Sequence, residues 1–459
     1  MTSFSKNSGL ICAASGLMTD LYQLTMAAGY FQSGKSASAS FELFVRRLPR
    51  NRGYLIFAGL EQALDYLGNL RFQPEEVEFL QKLTTFKHVD PRFFDYLRGF
   101  RFQGEVWAMP EGEVVFAGEP LLRVTAPIIP AQLVETSLLS IINFQTLIAT
   151  KAARVKDAAR GRPVVDFGAR RAHGPEAGVL AARACFIGGC SGTSNVHASR
   201  LLGIPPVGTM AHSFIMAFDS EEQAFSAYRE IFPESAVLLL DTYDTLEAAR
   251  KAARIKEPIL GVRLDSGDLG ALAREVRRIL DQAGKSEVQI VASSDLNEYR
   301  IEGLLRDGAP IDVFGVGTDL VTSRDDPALA GVYKLVELSE AGQTSAKLKL
   351  SLEKETLPGR KQVFRQTDAQ GLYLKDVIGK AEENLPGRPL LQLVLKNGEI
   401  SRPGPPLAEV QRRATESRER LAPGIRHFRD PGVYPVESSA GLQTLADRLR
   451  QKLLGSGFL

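Results

Sequence analysis

The sequence predicts an α/β protein built around a closed or nearly closed barrel of parallel strands. Three observations lead there. Between Pro163 and Leu338, eight short apolar segments begin near Pro163, Ala184, Pro206, Ala236, Pro258, Val288, Ile311 and Val332, at steps of 21 to 30 residues. Helical patterns separate most of them, most clearly from Leu269 to Ala283, and strands alternating with helices at this interval signal βα units. The apolar segments then end in polar groups. Val164-Val165 runs into Asp166, Phe186-Ile187 into Ser191 and Thr193, Val207 into Thr209 and His212, and Leu238-Leu239-Leu240 into Asp241 and Tyr243. Ile259-Leu260 leads to Arg263 and Asp265, Ile290-Val291 to Ser293, Ser294 and Asp295, and Val313-Phe314 to Gly317 and Thr318. Barrel enzymes carry their sites at the C-terminal ends of the strands, so these residues would converge on one mouth. An open, doubly wound sheet is the alternative that the periodicity leaves.

The remaining elements follow in chain order. Leu17 to Tyr30 reads as a helix, Ala39 to Arg46 as an alternating strand, and Ile56 to Leu67 as a second helix; Phe93, Phe94 and Tyr96 mark another. Pro110, Gly112, Gly118 and Pro120 divide Gly104 to Thr125 into short strands. A helical run from Leu133 to Ala159 stops at Gly161-Arg162-Pro163. Beyond Leu338 the chain turns charged and turn-rich, passes Pro403-Gly404-Pro405-Pro406, and finishes in helices over Glu409 to Arg420 and Ala440 to Leu454. The expected division is an N-terminal α+β domain over 1–130, a barrel domain over 131–338, and a C-terminal segment over 339–459 that packs with the N-terminal domain.

Composition excludes several classes. With 459 residues, 44% hydrophobic and 24% charged, the chain matches soluble globular proteins rather than disordered or fibrous ones. Fifty-six Lys and Arg against 54 Asp and Glu give +2, so nucleic acid is not an expected partner, although a local basic pocket can still bind an anion. Cys12, Cys185 and Cys190 form neither an even framework nor a C-x-x-C pair, which suits reduced thiols in the cytoplasm. Gly9 to Met18 follows Lys6 like a short signal segment, but Ser15 interrupts it and Asp20 follows, so secretion is not expected. No membrane span is expected, because Leu133 to Ile148 carries Glu135, Asn143 and Gln145.

Five motifs are candidates to carry chemistry. Asp166-Phe167-Gly168-Ala169-Arg170-Arg171 combines an acid, an aromatic face and two guanidiniums, whose forks suit phosphate; its alternative is an ordinary strand-to-helix turn. Asp-Phe-Gly also occurs in protein kinases, but no Gly-rich loop or His-Arg-Asp segment accompanies it. The run from Ile187 to Asn195 is rich in glycine and hydroxyls without matching a nucleotide fingerprint. Val313 to Thr318 closes the seventh segment, where barrels commonly bind phosphate, which singles out Gly317 and Thr318. His212 lies just past a strand end and can act as base, ligand or nucleophile, or be structural. In a strand, Arg263 and Asp265 point to one side, so one can hold an anion while the other accepts from sugar hydroxyls or helps to hold a divalent cation; a mutual ion pair is the alternative. The remaining histidines lack zinc-site spacing with the cysteines.

Together these blocks resemble the nicotinate phosphoribosyltransferases, from Leu17 to about Arg365. The resemblance rests on Thr19 to Met26, Phe41 to Phe44 with Arg46, Asp166 to Arg171, Gly208 to Phe214, Val262 to Asp268 and Gly331 to Leu335, in that order. It implies an irregular TIM-like α/β barrel joined to a second α+β domain formed from N-terminal and C-terminal segments, assembled as a homodimer with shared active sites. The implied reaction makes nicotinate mononucleotide from nicotinate and phosphoribosyl pyrophosphate, coupled to ATP, with Mg²⁺ as cofactor. Tyr22, Thr209 and Arg263 match nicotinate contacts, with Tyr22 reaching across the dimer to sandwich the ring against Phe167. Arg46, Arg170, Arg171, Gly317, Thr318 and Lys334 are the expected phosphate and phosphoribosyl contacts. Asp265 matches a ribose-side carboxylate, and His212 the histidine that ATP phosphorylates.

Three rivals remain. Nicotinamide phosphoribosyltransferases resemble the same loop but carry Gly-Thr-Asp-Thr where this chain has Gly192-Thr193-Ser194-Asn195. An aspartate there would repel a carboxylate, so Ser194 favours the acid. Quinolinate phosphoribosyltransferases are generally shorter and would not bring the His212 block. A non-catalytic metabolite-binding protein is opposed by His212, Arg263 and Asp265 standing together.

Overall fold

The structure is a computed structural model that describes residues 14–350, 356–401 and 403–455. Cys12 and the start of the Gly9 to Met18 segment lie outside the described residues. Contacts divide the chain into two compact units, one made of Met1–Leu147 and Ala328–Leu459 and the other of Ile148–Pro327.

The Ile148–Pro327 unit is organised on a six-stranded parallel sheet. In spatial order its strands are Gly192–Thr193, Val164–Asp166, Val313–Val316, Gln289–Ala292, Gly261–Leu264 and Val237–Leu239. Val164–Asp166 and Val237–Leu239 are buried throughout, which explains why they read as short continuous apolar runs rather than as alternating ones. Helices cross over between the strands, and short polar side chains start them. Asp244 accepts from the backbone of Leu246 and Glu247, Asp268 from Gly270 and Ala271, and Asn297 from Arg300. In the helix Leu269–Gln282 the buried face comprises Leu269, Ala273, Val276, Ile279 and Leu280, at helical spacing.

Three of the eight expected barrel strands are corrected. The segment near Ala184 lies within the helix Pro175–Ile187, because proline at the first helical position and an alanine-rich sequence favour helix over extended chain. Near Pro206 there is only an isolated parallel bridge to Thr193, since consecutive prolines cannot donate to a ladder. The Val332 segment is the strand Gly331–Glu340, which pairs antiparallel with Ser38–Val45 in the other unit. Among the described residues no ladder joins Pro206 to Val237–Leu239, so the sheet is not closed by hydrogen bonds.

The other unit interleaves both ends of the chain. Its seven-stranded sheet runs Gln343–Ala346, Gly331–Glu340, Ser38–Val45, Pro120–Pro127, Glu105–Ala108, Gln392–Lys396 and Glu399–Ile400, with every neighbour antiparallel. Because Gly331–Glu340 and Gln392–Lys396 pair with N-terminal strands, the limits expected at 131 and 338 fall at 148 and 327 instead. A four-stranded sheet carries a buried charge cluster: Arg365 bonds Asp376 at 2.6 Å and Glu113 at 2.8 Å. The aromatic helix is Pro91–Arg98, capped by Asp90, with Phe93, Phe94 and Leu97 buried. The helix expected over Ile56 to Leu67 starts later, at Leu60, after Gly59 turns the chain at φ 102° and Leu55–Ile56 pairs as a strand.

The helical stretch Ile128–Ala158 is long and apolar enough to cross a membrane by length and composition, which the sequence reading did not expect. Buried protein surface covers 61% of its most apolar window, as in a core helix. Cys185 and Cys190 are buried without forming a disulfide, and burial and the neighbouring Cys190 thiol push the Cys185 thiol well up.

Candidate active site

The C-terminal ends of the parallel strands surround a cavity of about 780 Å³. It receives Phe167, Arg170 and Arg171 after the strand Val164–Asp166, Ser194 after Gly192–Thr193, and Val207 to Ala211 beyond the Pro206 bridge. Arg263 and Asp265 enter from Gly261–Leu264, Ser293 to Asp295 from Gln289–Ala292, and Gly317 and Thr318 from Val313–Val316. The volume suits a small metabolite.

At one wall, Arg263 Nη1 donates to Thr209 Oγ1 at 2.6 Å. Its Nη2 lies 3.8 Å from Asp265 Oδ2, and its buried Nε has no hydrogen-bond partner. Burial lowers the guanidinium pKa, Asp265 and Asp241 oppose that, and the group keeps its charge. A guanidinium held at the cavity wall suits a planar anion.

Asp265, beside Arg263, gathers further contacts. Ser293 Oγ donates to its Oδ1, its backbone N–H donates to Asp241 Oδ2 at 3.3 Å, and His212 Nε2 lies 3.8 Å from its Oδ2. The other ring nitrogen of His212 is 3.2 Å from Thr242 Oγ1, which leaves Nε2 to face the carboxylate. His212 opens the helix His212–Met216 one residue past Ala211, and is not among the residues lining the cavity. Ser294 and Asp295 hold left-handed backbone at φ 84° and 44°, and Arg300 Nη1 fastens the Ser294 carbonyl at 3.0 Å. Such strain persists where surrounding contacts impose it.

Phe167 packs the Cδ2–Cε2 edge of its ring against Gly315, where an added Cβ would stand 2.4 Å from Cδ2. Gly168 is packed as tightly, with Val321 occupying the space of any Cβ. Glycine at 315 leaves room for the aromatic ring at the strand end, and glycine at 168 leaves room for Val321.

Sequence reasoning placed Asp241 and Ser293 at the mouth without giving either a role, and did not name Thr242. All three stand at strand ends, and their contacts to His212 and Asp265 arise only when strands far apart in sequence are neighbours. Tyr22, Arg46 and Lys334 belong to the other unit. Tyr22 is half-exposed on the helix Leu21–Gln32, and Lys334 pairs in register with Glu42. Among the described residues no group of three or more His, Cys, Asp or Glu side chains is arranged for a metal ion. Asp241 and Asp265 do offer two adjacent carboxylates, and Asp241 Oδ1 is buried without a partner. That pair fits Mg²⁺, which commonly takes one or two protein carboxylates and completes its shell with substrate phosphates and water.

Comparison with known proteins agrees along most of the chain. Residues 17–143 match the family described as nicotinate phosphoribosyltransferase (NAPRTase) N-terminal domain, residues 163–354 the nicotinate phosphoribosyltransferase (NAPRTase) family, and residues 385–446 the nicotinate phosphoribosyltransferase C-terminal domain. The Mycobacterium tuberculosis protein named nicotinate phosphoribosyltransferase pncB2 is 46% identical over 442 residues, covering 95% of this chain and 94% of its own. The Bacillus subtilis nicotinate phosphoribosyltransferase is 42% identical over 457 residues, covering 92% of each chain. The crystal structure of human nicotinic acid phosphoribosyltransferase superposes with a TM-score of 0.84 at 33% identity, over 94% of this chain and 100% of that one. The chain belongs to the nicotinate phosphoribosyltransferase family.

Proposed function

We propose that this protein transfers the phosphoribosyl group of phosphoribosyl pyrophosphate to the ring nitrogen of nicotinate, forming nicotinate mononucleotide for NAD salvage. The observation that carries this reading is Arg263, whose largely buried guanidinium lines the cavity and is held there by Thr209. A guanidinium so placed suits a pyridine carboxylate, and a neutral amide less well.

The pyridine nitrogen forms a bond to the anomeric carbon as the carbon–oxygen bond to pyrophosphate breaks. Positive charge grows on the sugar, where the carboxylate of Asp265, fixed by Ser293 and the Asp241 contact, stabilises it. Negative charge grows on pyrophosphate, which Arg170, Arg171 and the backbone at Gly317 and Thr318 would receive. Mg²⁺, when bound, supplies neutralising charge to the leaving group, and Asp241 and Asp265 would hold it. Phe167 offers one face for the ring; in a homodimer with shared active sites, Tyr22 would offer the other, consistent with its exposure. Arg46 and Lys334 would join the phosphate contacts in that assembly. The strand ends sharing one cavity support an irregular TIM-like barrel in which the Pro206 segment acts as a further stave. Cytoplasmic residence agrees with the absence of a Cys185–Cys190 disulfide.

ATP coupling would run through His212. Its Nδ1 engages Thr242, so Nε2 is the nitrogen available to attack the γ-phosphorus, with ADP leaving. A phosphoryl group there would bring roughly −1.5 to −2 of charge beside Asp265, by analogy with phosphorylated hydroxyls, and so alter the hold on anionic substrates.

A turnover assay with phosphoribosyl pyrophosphate and nicotinate, nicotinamide or quinolinate, with and without ATP, tests the reading. Product from nicotinate supports it; product from nicotinamide or quinolinate alone overturns it. Acid-labile label from γ-labelled ATP that is lost in His212→Ala supports the coupling, and label that persists in that variant removes it.

A further inference from the structure

Asp166 stands out among the groups that the mechanism does not use. It is a fully buried carboxylate at the end of the strand Val164–Asp166 and does not line the cavity. Its two oxygens serve two different walls. Oδ1 accepts the Gly168 N–H at 2.8 Å, closing a turn with Phe167 at its centre. Oδ2 accepts the Thr193 hydroxyl at 2.7 Å, and Thr193 Oγ1 in turn accepts the Asn195 N–H at 3.0 Å. The backbone carbonyl of Asp166 accepts the Ser194 N–H at 2.8 Å. Phe167 and Ser194, which both line the cavity, are therefore tied to one residue. A carboxylate accepts from both donors at once, which lets the Thr193 hydroxyl point its proton inward and offer its lone pair to Asn195.

We propose that Asp166 is a positioning residue that locks the spacing between Phe167 and Ser194, and that this spacing sets the preference for a pyridine carboxylate over its amide. The inference rests on the nicotinate reading above. In Asp166→Asn the amide nitrogen must donate to Thr193, so the hydroxyl loses its acceptor and the 192–195 loop loosens while side-chain volume is kept. Burial pushes the Asp166 carboxyl pKa up, and the hydrogen bonds from Gly168 and Thr193 oppose that.

The test is the selectivity ratio for nicotinate over nicotinamide, the amide being taken as substrate or as inhibitor, in purified wild-type protein and three variants. Losing one buried hydrogen bond to a charged group lowers the ratio about tenfold or more in Asp166→Asn. Thr193→Val, which keeps shape but removes the hydroxyl, moves it the same way, and Thr193→Ser restores it. A purely structural role reduces the active fraction and scales both compounds equally, leaving the ratio unchanged. An unchanged ratio in Asp166→Asn and Thr193→Val overturns the proposal, as does Thr193→Ser behaving like Thr193→Val. If Asp166→Asn does not fold, the Thr193 pair decides. Wild-type protein without nicotinate turnover removes the underlying reading and this inference with it, whereas normal wild-type kinetics with unmoved variants sinks the inference alone.

Discussion

Arg263 reaches across to Thr209, donating through Nη1 at 2.6 Å while its buried Nε stays without an acceptor. The two residues are 54 positions apart in the chain and together line the cavity. A lysine in place of Arg263 retains the charge but not the planar fork. Arg263→Lys is expected to lower kcat/KM for nicotinate by about 10- to 150-fold, equivalent to ~1.5–3 kcal/mol for a charged hydrogen bond. Steady-state kinetics check it, and an unchanged value would remove Arg263 from substrate recognition.

Gly315 is the platform for the Phe167 ring. A methyl group there would stand 2.4 Å from Cδ2 of that ring, so the ring must tilt away. Gly315→Ala should raise the KM for nicotinate several-fold and cost about 1–3 kcal/mol of stability for overpacking, with the fold intact by circular dichroism. A variant with native nicotinate KM would show that the ring does not need its observed seat.

Thr242 fixes the orientation of His212 through a 3.2 Å contact to Nδ1. Removing the hydroxyl in Thr242→Val frees the imidazole to rotate, and the expected cost of one neutral hydrogen bond, ~0.5–1.5 kcal/mol, is a roughly 2- to 10-fold slower incorporation of label from γ-labelled ATP. Rapid-quench measurement reads the rate; wild-type speed in Thr242→Val argues that the ring is held from elsewhere.

Glu119 offers a test by pH in the first unit. Burial raises its carboxyl pKa well above the usual range, and the neighbouring Asp376 raises it further. The folded state thus binds this proton more tightly than the unfolded chain. Stability from Glu119 is complete below the unfolded value, about 4.3, and is lost as pH climbs through the raised folded value. Between those limits wild-type stability should fall by at most ~1.4 kcal/mol per pH unit relative to Glu119→Gln, which keeps an acceptor for the Phe116 N–H. Urea melts at several pH values measure the difference; parallel curves would contradict the assignment.

Much of the site could be read along the chain because βα units put their chemistry at strand ends. Asp166, Arg263, Asp265 and Thr318 each follow a short apolar run, and a run of that kind is visible without coordinates. Strand number was less legible. Phe186-Ile187 ends an alanine-rich helix begun by Pro175, and apolar residues alone do not separate a buried strand from a buried helix turn. Val332 lies in a true strand, but local pattern is silent on which sheet a strand joins, and Gly331–Glu340 joins Ser38–Val45.

Residue order and local physical chemistry were enough for the repeating βα rhythm, the ring-and-arginine block at Asp166 to Arg171, and the same-side pairing of Arg263 with Asp265. Those features depend on periodicity and on neighbours a few positions apart. The partners of these groups depended on the folded chain: Thr209 against Arg263, Thr242 against His212, Ser293 against Asp265, and Thr193 against Asp166. Each of these joins residues 27 to 54 positions apart. Parallel strands meet through long crossovers, so the identity of the residue across the sheet is a property of strand order, which no local pattern encodes.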